Sequence, residues 1–584
     1  MLSNILADYN KRTRIILLVL QLIAISYFIS YVSSETMIGP TLDDAWVYYQ
    51  FAHNFAEYRE ISFNQGEWSN CTSLSWILLL SSGIILGIPL LQFSIAIGVI
   101  LYILFGQLVY SLYLSYWKDK FNHIIAVLIV VFTGNILWYS LSGMETMLFL
   151  VLGLFWILSF DKEKYIIAGI LAGALAITRT EGLVFLLMGI FFVFRRLGFK
   201  AGVKPALLQL ALCAAFIIPT MSMYYITTGD PFPHTLKGKQ FLYGMNVGAL
   251  NLSITGTINY IKAWASTFFA GNWFPELMDH PNTIQISLLR ILSLGKFKRR
   301  ELEFDIEPNP VWEQTLALII GIILFVILIR GIIITIRRLT SDFFKERRLK
   351  QWEYLALWII GLNLIYLALM PIRGHGGRYQ AVNFIIVGIL LITGADWRSL
   401  KYPWITKLSR YIIKPGILLV YFLALFSWAD VYSKSVLHVN QVHRAAGEWI
   451  DKELPKDAVV AIFDGGAIKY FSQRYLVDVA GIFEGEGLQR MLEGDGARFL
   501  KEKNTQYFAM IEDETQKRRF ISNGYQPFDS KFYDQLNLRK DIGVTMNLKE
   551  IKRFELPLEN WWRHWEIVIT HSPTIVIYKI EWLI

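Results

Sequence analysis

The stretch IGPTLDDAWVYYQFAHNFAEYREISFNQGEWSNCTSLSW, residues 38–76, lies between two long apolar runs and carries two adjacent carboxylates, Asp43 and Asp44. Its spacing predicts a helix, with Tyr48, Phe51, Ala52 and Phe55 on an apolar stripe and Gln50, Asn54 and Glu57 on a polar one. Thr41 stands three residues ahead of Asp44, the spacing of a capping box, and the helix macrodipole favours acids in a first turn. The acid pair therefore has a structural reading. Whether it also has a chemical one depends on where the flanking runs place it.

The chain has 584 residues, of which 54% are hydrophobic and 15% aromatic. Apolar segments recur that can cross a hydrocarbon core of roughly 30 Å, a task for about 20 helical residues. The fold class expected is a polytopic α-helical membrane protein. Spans are expected at residues 15–33, 92–116, 123–141, 146–160, 165–178, 182–194, 205–228, 314–336, 354–371, 380–395 and 412–429, about eleven in all. The first run lacks a short apolar core followed by a small-residue cleavage site and reads as a retained anchor. Two cysteines imply no disulfide framework. The net charge of +9 does not point to nucleic acid, because Lys and Arg concentrate in short segments between apolar runs.

Those segments include RRLGFKAGVK (195–204), RRLTSDFFKERRLK (337–350) and WRSLKYPWITKLSR (397–410), and they orient the chain. With the N-terminus cytoplasmic they all fall inside, as the positive-inside rule requires of a multi-pass protein of the plasma (inner) membrane. The apolar segment 73–90 then reads as a re-entrant or interfacial helix, since a crossing there would put every later basic loop outside. A true twelfth span, with a boundary misplaced elsewhere, is the alternative.

This register sends the conspicuous polar clusters to the outer face. They are Asp43 and Asp44 in the first outer loop (34–91), Glu145 in SGMETM, Arg179 and Glu181 in TRTEG, His234, Lys237 and Lys239 in GDPFPHTLKGK, and Arg373, His375, Arg378 and Tyr379 in RGHGGRY. A long outer loop at 229–313 and the region from 430 onward lie on the same side. Each cluster has a plain alternative: a boundary salt bridge for Arg179 and Glu181, a span-end carboxylate for Glu145, snorkelling cations for Arg373, His375 and Arg378.

From residue 430 to 584 the pattern becomes that of an extracytoplasmic α/β domain, leaving 1–429 as the transmembrane part. VHRAAGEWIDKEL has helical spacing, AVVAIFD, YLVDVAG, TQYFAMI and TIVIYKIEWL read as strands, and GGAIKYFS gives a glycine turn into a short helix. The Asp464-Gly465-Gly466 turn lacks the G-x-G-x-x-G dinucleotide fingerprint, and Asp464 reads as a strand-end cap. Asn70-Cys71-Thr72 and Asn251-Leu252-Ser253 match the glycosylation acceptor pattern, which also arises by chance.

The motif order LDDAWVYYQFAHNFAE, ISFNQGE, CTSLSWILLL, SGMETMLF, TRTEGLVFL, GDPFPHTLKGK, GHGGRY and VAIFDGGAIKYFSQRYLVDVAGI resembles the GT-C superfamily of polyprenyl-phosphate-sugar glycosyltransferases. It is most similar to the branch of the mycobacterial terminal arabinofuranosyltransferases. Departures are Gln65 where the branch has Pro, Asn70-Cys71 where it has Gly-Tyr, and Thr180 where Arg-Pro-Glu-Gly is usual. The resemblance implies an inverting transfer of a sugar from a lipid phosphate to a hydroxyl of a glycan, lipid or protein acceptor of the cell envelope. Asp43 is expected as the base, with Asp44 as its understudy, because Asp43 lies on the polar side of the helix and Asp44 nearer the apolar stripe; Glu145, Arg179 and Glu181 would shape the acceptor pocket, and His375, Arg378 and Lys237 or Lys239 would hold phosphate. A divalent cation at Asp43 and Asp44 fits some members and not others. The rival classes are a transporter, whose ionisable residues gather near the bilayer midplane, and a glycan polymerase or ligase, whose Arg and His gather in a large outer loop.

The orientation is tested by cysteine labelling of intact cells. A reagent confined to the outside should reach positions near 235, 375 and 500 and miss those near 200, 345 and 405; labelling near 345 would invert the register.

Overall fold

Every one of the apolar segments is helical in the computed structural model, which describes residues 2–242, 245–254, 256–258, 260–261, 311–372, 374–398, 402–479, 481–483, 485–511, 545–556 and 574–583. Among the described residues, six helices are long and apolar enough to cross a membrane, or seven if the bent pair Lys120–Val131 and Gly134–Leu141 counts as one span. The expected eleven segments exceed this count for two reasons. Segments 182–194 and 205–228 are both present, as two helical arms of Leu183–Thr228 that fold back on each other at Gly198, where the backbone is non-helical and a Cβ on Gly189 would lie 2.5 Å from Gln209 Oε1. Segments 146–160, 165–178 and 380–395 form shorter helices, Thr146–Asp161, Tyr165–Thr178 and Asn383–Gly394. The shortness has a packing reason in the last case: all of Asn383–Gly394 is buried among other helices, so its apolar sequence answers to protein neighbours on every side. Segment 73–90 gives the helix Leu74–Ile85, whose 12 residues reach about 18 Å, short of a full crossing.

The helix predicted after the acid pair runs from Asp43 to Tyr58. The capping box does not form. Leu42 is the N-cap with no side-chain cap, and Thr41 Oγ1 is buried without a hydrogen-bond partner. Of the polar stripe only Glu57 is solvated: Gln50 and Asn54 are buried, Gln50 donating to Asn54 at 3.0 Å and Asn54 to the Ser62 carbonyl at 2.9 Å. A helix with buried Gln and Asn side chains on its polar stripe needs a cover, and the C-terminal region supplies it.

The helix Lys414–His438 runs on through a π-helical turn, Val439–Arg444, into Ala445–Glu453. A sheet of five strands follows, β1 (Val459–Ile462), β2 (Tyr475–Asp478), β3 (Tyr507–Ile511), β4 (Thr545–Glu555) and β5 (Thr574–Leu583). Their order is β2-β1-β3-β5-β4, parallel from β2 to β3 and antiparallel across β3, β5 and β4. Four of the five strands are legible as apolar runs; β4, with five charged residues in TMNLKEIKRFE, is not.

β2 is an edge strand, and the first loop caps it. Asn64 donates to the Leu476 carbonyl at 2.8 Å and accepts from the Leu476 N–H at 3.1 Å, which answers the exposed-edge problem with one side chain. Tyr475 donates to Glu67 at 2.8 Å, Phe63 stacks on Phe483 at 4.4 Å, and Trp46 packs on Phe471 and Tyr470. First loop and tail are thus one packed unit.

Candidate active site

The helix Asp43–Tyr58 begins beneath the turn that follows β1. There the helix Gly466–Ser472 starts, and its first amides point at Asp43: Gly466 donates to Oδ2 at 2.5 Å and Ala467 to Oδ1 at 2.7 Å. A Cβ on Gly466 would lie 2.2 Å from the Asp43 carbonyl oxygen, so the approach requires glycine. The His443 Nδ1 lies 3.4 Å from Asp43 Oδ1, and the Asp464 carboxyl is in hydrogen-bond contact with that of Asp43. Burial acts to raise the Asp43 carboxyl, but the His443 ring, Asp464 and the Ala467 amide together hold it below its usual range. Burial, then the charges of Asp43 and Asp44, push Asp464 well above the usual carboxylate range.

Asp44 faces the other way. Its Oδ2 accepts a short hydrogen bond from Arg378 and lies 3.8 Å from Lys239 Nζ. Burial would raise this carboxyl, yet Arg378, Lys239 and His375 outweigh it and hold Asp44 far below its ordinary value. Arg378 is carried by a loop in which Gly374, Gly376 and Gly377 have φ of 69°, 61° and 76°, a left-handed run that only glycine adopts freely. The loop is fixed by Asn135 and Tyr139, which both donate to the Gly376 carbonyl. Lys239 donates to the Tyr379 hydroxyl at 2.6 Å. Burial acts to raise the Tyr379 phenol, and Lys239 and Arg378 pull it below its usual value.

Behind this pair sits a second ionic group. Arg179 bonds Glu181 at 2.7 Å, lies 3.7 Å from Glu145, and donates to the Tyr366 hydroxyl at 2.6 Å and to the Arg378 carbonyl at 3.4 Å. Tyr366 stacks on Tyr379 with centroids 5.2 Å apart. The expected residues Asp43, Asp44, Glu145, Arg179, Glu181, Lys239, His375, Arg378 and Tyr379 thus converge. Lys237 and His234 instead turn to Asp230, at 2.9 and 3.8 Å. Arg373 lies outside the described residues.

Three contributors were not read from the sequence as part of this site: His443, Tyr366 and Asp464. Among the described residues, the one group of His, Cys, Asp or Glu side chains able to converge on a cation is Asp43, His443 and Asp464, with ligand atoms within 4.8 Å of one another. Asp44, expected beside Asp43 in any cation site, is not part of this group, its carboxylate being turned toward Arg378 and Lys239.

Comparison with known proteins adds three findings. A profile described as a domain of unknown function (DUF8728) matches residues 433–572. No curated protein matches the chain. Among solved structures the chain is similar to the apo crystal structure of the Archaeoglobus fulgidus oligosaccharyltransferase, at TM-score 0.49 and 15% identity over 88% of this chain and 72% of that one. It is also similar to archaeal oligosaccharyltransferase AglB from the same organism in complex with an inhibitory peptide and a dolichol-phosphate, at 0.47 and 13% over 87% and 71%. ArnT from Cupriavidus metallidurans bound to undecaprenyl phosphate is similar at 0.48 and 9% over 97% of each chain. Likeness at this level carries no residue roles across.

Replacing Gly466 by Ala tests the contact that joins tail to first loop. The added methyl meets backbone that cannot yield, so the variant should lose about 1–3 kcal/mol of stability and expose the tail to limited proteolysis. Wild-type melting and protease resistance would mean the close approach is not formed.

Proposed function

We propose that the chain is an integral-membrane inverting glycosyltransferase that moves a sugar from a polyprenyl-phosphate donor to a hydroxyl of a cell-envelope glycan, lipid or protein on the outer face of the membrane. The observation that carries this reading is the division of labour within the acid pair. The Asp44 side chain is 32% exposed and faces Arg378 and Lys239, whereas Asp43 is 4% exposed and sealed against the tail. A hydroxyl can meet Asp44; it cannot meet Asp43 without displacing the backbone of Gly466 and Ala467. The role expected for Asp43 from its helix face is therefore assigned to Asp44, with Asp43 positioning it.

In the reaction the acceptor oxygen attacks the anomeric carbon as its proton passes to Asp44. The bond from that carbon to the phosphate oxygen breaks on the opposite face, and the lipid phosphate leaves with the electron pair. Lys239, the more accessible cation, receives that charge with the His375 ring beside it and the buried Arg378 guanidinium behind. A carboxylate clamped by two cations is a weak base on its own. The donor phosphate competes for the same cations, and loosening their hold raises the basicity of Asp44 when donor and acceptor are both present. Arg179, Glu181, Glu145 and the Tyr366–Tyr379 stack hold Arg378 from behind and wall the acceptor side. The motif order shared with the arabinofuranosyltransferase-like branch supports a pentose or hexose as the transferred sugar. The gathering of these ionisable groups under the tail, at the ends of helices, favours transfer chemistry there over passage through the membrane.

Asp44→Asn keeps an acceptor for Arg378 but cannot take a proton, so transfer from a purified polyprenyl-phosphate sugar should fall by roughly 10²-fold or more. Melting temperature, followed in parallel, separates this from unfolding. Asp43→Asn should behave in the opposite sense, losing stability more than turnover. Near wild-type transfer by Asp44→Asn would remove it as the base.

Lys239→Ala should raise KM for the lipid donor by about tenfold or more, the scale of one charge-assisted hydrogen bond, and Lys239→Arg should recover part of it. An unchanged donor KM in the alanine variant would place the phosphate elsewhere.

A further inference from the structure

Three segments distant in sequence bring metal-binding side chains to one buried point: Asp43 from the first loop, His443 from the turn leading into the tail, and Asp464 from the end of β1. His443 is 2% exposed, and its Nδ1 has no partner in hydrogen-bonding geometry; it points at Asp43 Oδ1 from 3.4 Å. Imidazole nitrogen and carboxylate oxygen on a tetrahedral ion, each bonded at ~2.0–2.2 Å, stand ~3.3–3.6 Å apart. The His443–Asp43 separation already matches that edge. The two amides that bond Asp43 and the contact with the Asp464 carboxyl take up part of its roughly four acceptor sites, so a ligand position remains. Two carboxylates in contact below the surface also call for neutralisation, which a dication supplies in one step.

We propose that Asp43, His443 and Asp464 form a divalent-cation site that staples the tail to the first-loop helix, and that its mixed nitrogen and oxygen donors select a transition ion, Zn²⁺ or Mn²⁺, over Mg²⁺ or Ca²⁺. This ligand set differs from the Asp43 and Asp44 pair that the sequence singles out: two of its three members come from the tail, and Asp44 stays with its cations. The site acts on architecture. By holding the turn at 464–467 against residue 43, the ion fixes the start of the helix on which Asp44 stands. Because the claim concerns binding and stability, it stands or falls separately from the glycosyltransferase reading.

The full-length chain, purified in detergent without added metal, is assayed for bound metals by mass spectrometry and for melting temperature. Both are repeated after dialysis against EDTA and after separate additions of Zn²⁺, Mn²⁺, Mg²⁺ and Ca²⁺. The expected result is about one transition ion per chain, a melting temperature that falls on chelation, and recovery with Zn²⁺ or Mn²⁺. His443→Ala and Asp464→Asn should lose the ion and become insensitive to EDTA, while Asp44→Asn keeps it. A wild-type chain that is metal-free, with a melting temperature unmoved by EDTA and by every added ion, overturns the proposal. So does wild-type metal content in both His443→Ala and Asp464→Asn. Recovery with Ca²⁺ or Mg²⁺ alone overturns the donor-set assignment. Should a variant fail to fold, the wild-type chelation series decides.

Discussion

The carboxylate of Asp43, accepting the amides of Gly466 and Ala467, is the contact on which the site depends. A membrane chain that carries its acids on one loop and its soluble region some 420 residues later must bring the two together with both partners satisfied, since a buried carboxylate without donors is costly. The solution uses the free amides at a helix start, which need an acceptor, to satisfy a carboxylate that needs donors. Trp46 on Phe471, Phe63 on Phe483 and Asn64 on the β2 edge extend the contact on either side. They bury area; Asp43 sets the register.

From that register the chemistry follows. Adjacent residues on a helix point about 100° apart, so turning Asp43 toward the tail sends Asp44 toward Arg378 and Lys239. One acid is committed to structure and its neighbour is left partly open beside two cations, an arrangement suited to taking a proton while a phosphate departs. The buried Arg179–Glu181–Glu145 group backs Arg378, with Arg179 reaching its carbonyl, so that the positive wall is braced from behind.

Much of this was legible in the sequence, and the limits have physical causes. Apolar runs report helices reliably, because every such segment must bury or face lipid. They report crossings less well, because Asn383–Gly394 is as apolar as a span yet is enclosed by protein. The acid pair, the Arg378 loop and the Arg179 group were found because charge at the ends of apolar runs is costly and conspicuous. The capping-box reading of Thr41 failed because Asp43 and Asp44 both have partners outside the helix. Asp464 read as a strand-end cap because nothing local reveals that the turn after β1 faces a residue 421 positions earlier. His443 carried no local signal at all, being one histidine in an amphipathic helical stretch. Its position in space is decided by the uninterrupted run from Lys414 to Glu453, a feature of packing and not of composition.

The central claim is that first loop and tail are one unit joined at Asp43. Hydrogen–deuterium exchange of the full-length chain tests it directly, comparing the wild type with Asp43→Asn. The account predicts that a peptide covering Gly466 and Ala467 is strongly protected in the wild type and exchanges far faster in the variant, with the transmembrane helices unchanged. Equal protection of that peptide in both chains, or rapid exchange in both, would contradict it.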